Sequence, residues 1–429
     1  MRTTIRTLAV VLAVIGAVAT AARAAVPPVT ARPAAPAPAA APAAAAPARK
    51  VAGSVYDDAN RNGRRDPGEA GIAGVAVSDL RDVVVTGADG RYALEAAGDA
   101  AVISVSLPDG WAAPGKSWRL LERPPAGPPA SIDFPLVRRA GSGTFTFLHA
   151  SDTHLSPQSL PRTVALRALV EKEKPDFVII TGDLVRDALR VGETEARGYY
   201  ELLAGELAKF TVPVFVVPGN HDLFGIERAL SLVSRDHPMY GRALCRSFVG
   251  PEYFSFTWGG IHFVGLHSVD FEDTAYYGHV DAAQVEWLRR DLAHLPAAMP
   301  VVTFNHIPFV SAVERLSGFT EDPPAPTLIR IDGRPQYRHV VSNLAEVLDS
   351  LGGHRLEIAL GGHLHTSERI VLDTSAGRVR FHQTGAVVGP SDAPGFQFVS
   401  GVTLYHAKDG HIDDGTFIPL DAPATHPAS

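Results

Sequence analysis

The residues of this chain that could do chemistry fall into five short clusters. They are Asp152-x-His154, Gly182-Asp183, Gly219-Asn220-His221-Asp222, His306, and Gly362-His363-x-His365. Imidazoles and carboxylates with one amide, and no thiolate, suit iron, manganese or zinc better than calcium or copper(I). About seven such ligands are more than one tetrahedral ion needs. A carboxylate such as Asp183 can bridge two ions. Two ions ~3.5–4 Å apart lower the pKa of a bridging water and clamp the attacking and leaving oxygens of an in-line displacement. The glycines beside the ligands let the backbone come close to an ion or an oxyanion. A lone histidine of this kind is usually packed or hydrogen-bonded, whereas five clusters in succession point to one site.

Each cluster follows a run with strand character: Phe145–Ala150, Phe177–Thr181, Val214–Val217, Pro300–Asn305 and Leu356–Leu360. Between these runs the apolar residues take helical spacing, over Leu160–Lys172, Tyr199–Phe210, Ala282–Leu292 and Leu344–Leu351. This alternation predicts a largely parallel sheet covered by helices. In such a sheet, ligands collect beyond the carboxyl ends of the strands. From about Ser367 to Pro419 short strands return, as a second sheet or an antiparallel extension. The segment from Ser311 to about Arg338 is Pro-rich without clear periodicity, the kind of loop that forms lids. Its Arg315, Arg330, Tyr337 and Arg338 read as anion contacts or, at least as well, as solvated surface. His149, His262 and His267 lie within strand runs and read as packed or hydrogen-bonded. His237, His294, His354 and His411 read as surface or turn residues.

Ahead of this region, Val51 to Val137 alternates short β-like runs with Gly, Asp and Pro turns, which suggests a small all-β sandwich. Within it, Asp58, Asn60, Asn62, Gly63, Asp66 and Glu69 fill positions 1, 3, 5, 6, 9 and 12 of the calcium-loop template. The flanks are not those of an EF-hand, because Gly53–Tyr56 reads as strand and Pro67-Gly68 breaks a helix. A polar turn without an ion is the competing reading. With Gly71-x-x-Gly74-Val75-x-Val77, the segment resembles the calcium-binding B-type repeats of bacterial surface proteins. It is also similar to the small domain that precedes some secreted bacterial phosphoesterases.

The totals fit a two-domain globular protein: 429 residues, 46% hydrophobic, 20% charged, net charge -7 and no basic run for nucleic acid. The one cysteine, Cys245, excludes an internal disulfide. Arg2 and Arg6 precede an apolar run from Leu8 to about Val18, and Ala22-Arg23-Ala24 follows. That is the layout of a secretory signal peptide cleaved after Ala24, too short in its apolar part to span a bilayer at ~20 residues. The expectation is an exported protein, periplasmic or extracellular, with no transmembrane segment once processed. The expected divisions are the signal peptide at 1–24, an extended Ala/Pro-rich linker at 25–50, the small β domain at 51–137, the main domain at 143–420 and a disordered tail at 421–429.

In this order and spacing, the five clusters resemble those of the calcineurin-like metallophosphoesterases, over roughly Thr144 to Thr366. The resemblance implies a four-layer αββα sandwich and a metal-dependent hydrolase of phosphomonoesters or phosphodiesters. Attack by a metal-activated water or hydroxide is implied, with a phosphate-ester small molecule, lipid or nucleotide as substrate. One transition ion (Fe, Mn or Zn) would be held by Asp152, His154 and His365, the other by Asn220, His306 and His363, with Asp183 between them. His221 would contact the phosphate and protonate the leaving oxygen, and Asp222 would orient its ring. The stretch Tyr277–Leu292 resembles the helix before the His306 strand in bacterial members, its Trp287 and Leu288 reading as core. Purple acid phosphatases place a metal-binding tyrosine where this chain has Arg186. The Gly-Asp-Leu-Val-x-Asp form instead looks like the class III cyclic-nucleotide phosphodiesterase branch, a likeness that does not fix the substrate. The competing functional class is a surface binding or adhesion protein that uses this fold as scaffold, which loss of metal ligands would favour.

Overall fold

A strand covered on both faces needs apolar side chains at successive positions, and these sort by parity into two different cores. In Thr144–Ala150, Phe145 and Phe147 enter one core while Leu148 and Ala150 enter another. Phe177–Thr181 splits the same way, Phe177 and Ile179 against Val178 and Ile180. The computed structural model describes residues 47–122, 130–141, 143–323, 326–375, 377–393 and 395–420. The expected signal peptide, most of the Ala/Pro-rich linker and the tail lie outside them.

Two six-stranded sheets carry the main domain. In the first, Val214–Val217, Phe177–Thr181 and Thr144–Ala150 are parallel, and Gly401–Lys408 runs antiparallel beside Thr144–Ala150, itself paired with His411–Ile412 and Thr416–Pro419. In the second, Ile261–Leu266, Val301–Asn305, Leu356–Gly361 and Gly377–Gln383 are parallel, with Phe254–Trp258 and Glu368–Thr374 as antiparallel edges. An aromatic core that includes Phe147, Phe177, Phe256, Phe263 and Phe304 lies between the sheets. Phe147 and Phe177 stack with centroids 5.2 Å apart, and Phe256 stacks on Phe263 at 5.0 Å.

Helices Leu160–Glu173, Glu193–Leu207 and Arg242–Val249 cover the outer face of the first sheet. Ala282–Leu292 and Leu344–Ser350 cover the second. Together these make the four αββα layers. Asp281 caps Ala282–Leu292 by accepting the Gln284 N–H at 3.0 Å. Trp287 and Leu288 are buried in the core beneath that helix. No helix among the described residues is long and apolar enough to cross a membrane.

Several details differ from the sequence expectation. The parallel strands form two sheets, as the resemblance implies, and not the single sheet that the alternation of runs suggests by itself, and the late strands join both. Periodicity gives a strand's burial but not its sheet. The helix expected from Tyr199 begins at Glu193, because its charged first turn hides the apolar spacing while Glu193 and Glu195 favour a helix start. Residues 311–338 are not an irregular loop: they hold helix Ala312–Ser317 and the hairpin Leu328–Ile331 with Arg334–Tyr337. Arg330 pairs there with Glu321 at 2.7 Å.

The front domain is a sandwich of a five-stranded and a four-stranded sheet around a core that includes Val55, Val77, Ile103 and Phe134. Its first strand, Arg49–Asp57, starts two residues before the expected boundary. It packs on the edge of the main domain's second sheet. Leu107 accepts the Thr257 N–H at 2.8 Å, and the Asp109 carboxylate accepts the N–H groups of Gly259 and Gly260, each at 3.0 Å.

Candidate metal centre

All five clusters lie past the carboxyl ends of parallel strands, three from the first sheet and two from the second. Stacking the sheets brings these ends together. Three sets of ligand atoms result: Asp152, His154 and His365; His154, Asp183 and His221; Asp183, His306 and His363.

On one side, His365 Nε2 lies 3.2 Å from Asp152 Oδ1 and 3.3 Å from His154 Nε2, and Asp183 Oδ2 lies 3.5 Å from His154 Nε2. On the other, His306 Nε2 lies 3.3 Å from Asp183 Oδ1, 3.1 Å from Asn220 Oδ1 and 3.1 Å from His363 Nδ1. The two oxygens of Asp183 thus serve opposite groups. Asp152, Asp183, Asn220 and His306 are all buried.

Backbone geometry aims these side chains. Of the twelve non-glycine residues with positive φ among those described, five are candidate ligands: Asp152, His154, Asp183, His363 and His365. Such conformations cost roughly 1–3 kcal/mol each and persist where surrounding structure enforces them. Close approach requires glycine at several positions in these clusters, Gly219 and Gly362 among them. A Cβ on Gly219 would strike the Asp183 carboxylate, and one on Gly362 would strike Ser151 Oγ and crowd Asp152.

Hydrogen bonds on the far side of the rings select which nitrogen faces the centre. His306 Nδ1 donates to the Thr181 carbonyl at 2.7 Å, leaving Nε2 as a lone pair. The Arg186 carbonyl lies 3.4 Å from His154 Nδ1 and 2.9 Å from His221 Nδ1. Arg186, where the purple acid phosphatases have a tyrosine, thus contributes its backbone. The outcome is a cluster of lone pairs with no proton between several of them, and Asp152 Oδ1 is buried with no hydrogen-bond partner. These residues fit a pair of bound cations.

The electrostatics agree. Burial would raise the Asp183 carboxyl, but the rings of His306, His221 and His154 hold it well below the usual carboxylate range. Burial would lower His306, yet contact with Asp183 and then Asp152 raises it to about 9.

Asp222 does not do what the resemblance implies. Its carboxylate accepts backbone N–H groups from Gly219 at 2.7 Å and from Leu184 and Val185 at 3.1 Å, and makes no hydrogen bond to the His221 ring. It ties the Asp183 and Asn220 loops together, because its acceptors meet the N–H groups that those loops leave unpaired. Burial, and next the Asp183 charge, raise it to about 7 against those donors. His339 is a neighbour of the centre that sequence reasoning missed, its Nδ1 lying 2.7 Å from His363 Nε2. The available signal was a histidine at the return of the insertion between two ligand clusters.

Of the histidines set aside, His149 is bonded to Thr181 Oγ1 at 2.9 Å and His262 to Asp291 at 2.9 Å. His267 is packed, with neither ring nitrogen hydrogen-bonded. Asp58 is buried and accepts the N–H groups of Asn62 and Gly63 at 3.0 and 2.9 Å. Glu69 accepts those of Ala59 and Asp66 at 3.1 and 2.9 Å, and the Asn60 and Asn62 amides donate to Asp66 at 2.8 and 2.7 Å.

Two sheets whose strand ends gather histidines around a shared aspartate define a metallophosphoesterase. Residues 145–367 match the family model described as calcineurin-like phosphoesterase, and residues 59–120 match one described as the N terminal of calcineurin-like phosphoesterase. The chain belongs to the calcineurin-like phosphoesterase family. It is 28% identical over 146 residues to the serine/threonine-protein phosphatase CPPED1 of Rattus norvegicus, which is 33% of this chain and 43% of that protein. It is 26% identical over 180 residues to the 3',5'-cyclic adenosine monophosphate phosphodiesterase CpdA of Escherichia coli K12, 39% of this chain and 58% of that protein. The chain thus spans less than two thirds of either relative's length. A dimetal phosphatase from Danio rerio aligns with a TM-score of 0.40 and 16% identity, covering 65% of this chain and 99% of that one.

Proposed function

We propose that this protein is an exported, binuclear metal-dependent phosphoesterase that hydrolyses phosphomonoesters or phosphodiesters. The observation that carries the reading is Asp183, whose two oxygens face separate groups of ligand atoms, His306 on one side and His154 on the other. Iron, manganese or zinc at such a pair of positions supplies an activated water and neutralises charge on phosphoryl oxygens.

The chain's own residues do the rest. Asp152, His154 and His365 hold one position, Asn220, His306 and His363 the other, and Asp183 both. With its Nδ1–H on the Arg186 carbonyl, His221 is left with Nε2 for the substrate. Protonated there, it binds a phosphoryl oxygen and gives its proton to the departing ester oxygen as the P–O bond breaks. Water supplies the new oxygen on phosphorus, and its proton restores His221. The adhesion reading gains no support, since every expected ligand is present and converges.

Purified protein carrying two transition ions should cleave an aryl phosphate, and Asp183→Asn or His221→Ala should nearly abolish turnover. Full activity in both variants would refute the proposal. Rates on an aryl monoester, an aryl diester, nucleotides and a phospholipid headgroup would rank the substrate classes. Export rests on the Arg2, Arg6 and Leu8–Val18 layout, and it requires a secreted form that begins at Ala25. An intact mass that retains residues 1–24 after secretion would contradict it. Structural calcium at Asp58, Asn60, Asn62, Asp66 and Glu69 rests on the template spacing. A melting curve unmoved by calcium and by a calcium-selective chelator would remove that part.

A further inference from the structure

His363 differs from the other rings of the centre in what holds it. His306 and His154 each turn their outer nitrogen to a backbone carbonyl, that of Thr181 at a strand end and that of Arg186 in the loop beyond it. The outer nitrogen of His363 meets a side chain instead: Nε2 lies 2.7 Å from His339 Nδ1. The two rings are within 26° of coplanar with centroids 4.9 Å apart, so they meet end to end rather than face to face. At its inner edge, His363 Nδ1 lies 3.1 Å from His306 Nε2, on the ligand side.

His339 is placed by a pinned segment. Val341 N–H donates to the Pro308 carbonyl at 2.9 Å and Ser342 N–H to the Gly278 carbonyl at 2.8 Å. The preceding Arg338 lays its guanidinium 4.3 Å over the Tyr276 ring, and Tyr276 meets His363 edge-on at 6.0 Å and 88°. His363 is thereby confined between Tyr276 and His339. A metal-binding histidine whose outer N–H has an acceptor keeps one tautomer and one ring orientation.

We propose that His339 is a positioning residue of the metal centre: by accepting the Nε2–H of His363 it keeps Nδ1 of that ring as the ligand, and so sets the affinity of the Asn220–His306–His363 position for its ion. The inference rests on the two-metal reading above. Its consequence is asymmetric, because the Asp152–His154–His365 position does not contact His339.

The test is a calorimetric titration of Mn²⁺ into metal-stripped wild type, His339→Ala and His339→Asn, with the melting temperature of each stripped protein. Asparagine places an acceptor oxygen at the same δ position as the imidazole nitrogen. We expect two sites in wild type, one of them weakened by about 10–100-fold in His339→Ala, and recovery to within a few-fold in His339→Asn. Unchanged affinity at both sites in His339→Ala, equal weakening of both, or no recovery in His339→Asn at wild-type melting temperature would overturn the proposal. Should His339→Ala not fold, the comparison of His339→Asn with His339→Phe, which fills the space without an acceptor, decides it in the same way. Wild type that binds fewer than two ions would bring down the two-metal reading itself, a failure visible before any variant is made.

Discussion

His221 Nδ1 lies 2.9 Å from the backbone carbonyl of Arg186, which holds the ring in place of the neighbouring Asp222 side chain. The residue next in sequence is thus a brace for backbone, and the ring's orientation is set by a loop from another strand. The two residues have separable roles, and the variants should show it.

His221→Ala should lower kcat on an aryl phosphate by about 10²–10⁴-fold with metal content unchanged. Asp222→Asn keeps one acceptor oxygen but turns an NH2 group toward the buried N–H of Gly219 or of Val185, and should cost about 1–3 kcal/mol of stability while retaining far more activity. Turnover and thermal melting of both variants check this. An equal collapse of kcat in a well-folded Asp222→Asn would restore an orienting role for that carboxylate.

Removal of metal should matter in a graded way. Asp183→Asn takes charge from the group shared by both positions, so both should bind weakly, whereas Asn220→Ala should impair only one. Metal counted per chain by emission spectroscopy after desalting separates these. Two ions retained by Asp183→Asn would contradict the bridging role.

The chemistry was legible in the sequence because it is local: ligand type, the glycine beside it, and a preceding β run are all visible within ten residues. Asp152-x-His154 and Gly362-His363-x-His365 could be read that way. What the sequence hid was relational. Strands with apolar side chains on both faces look alike whichever sheet they join, so periodicity did not show the split into two sheets, which only the resemblance of the ligand clusters implied. A backbone carbonyl such as that of Arg186 has no residue signature, and neither does the pairing of His339 with His363, made by a hairpin insertion with weak periodicity. The positive φ of five ligand residues was invisible too, since Asp and His tolerate it without requiring it.

Glu314 gives a pH signature away from the centre. It is buried in the helix Ala312–Ser317 with Oε1 unpartnered, and burial raises it from 4.5 to about 7. A carboxyl raised in the folded state contributes most below its unfolded pKa, and that contribution is lost as pH rises through the folded value. The insertion should therefore loosen between pH 4.5 and about 7. Glu314→Gln should raise the melting temperature above that window and leave it nearly unchanged below. The same shift at both ends would show that the group is not titrating there.

Gly250 joins the front domain to the main one. Its φ is +101°, and a Cβ there would run into the Trp118 indole. Gly250→Ala should cost roughly 2–4 kcal/mol, from backbone strain and overpacking together. Thermal melting measures it, and an unchanged transition would mean that the two domains do not depend on this contact.

Anomalous diffraction from crystals grown with Mn²⁺ tests the central claim most directly. The account predicts two peaks on either side of Asp183, one among Asp152, His154 and His365, the other among Asn220, His306 and His363. A single peak, or two that do not share Asp183, would contradict it.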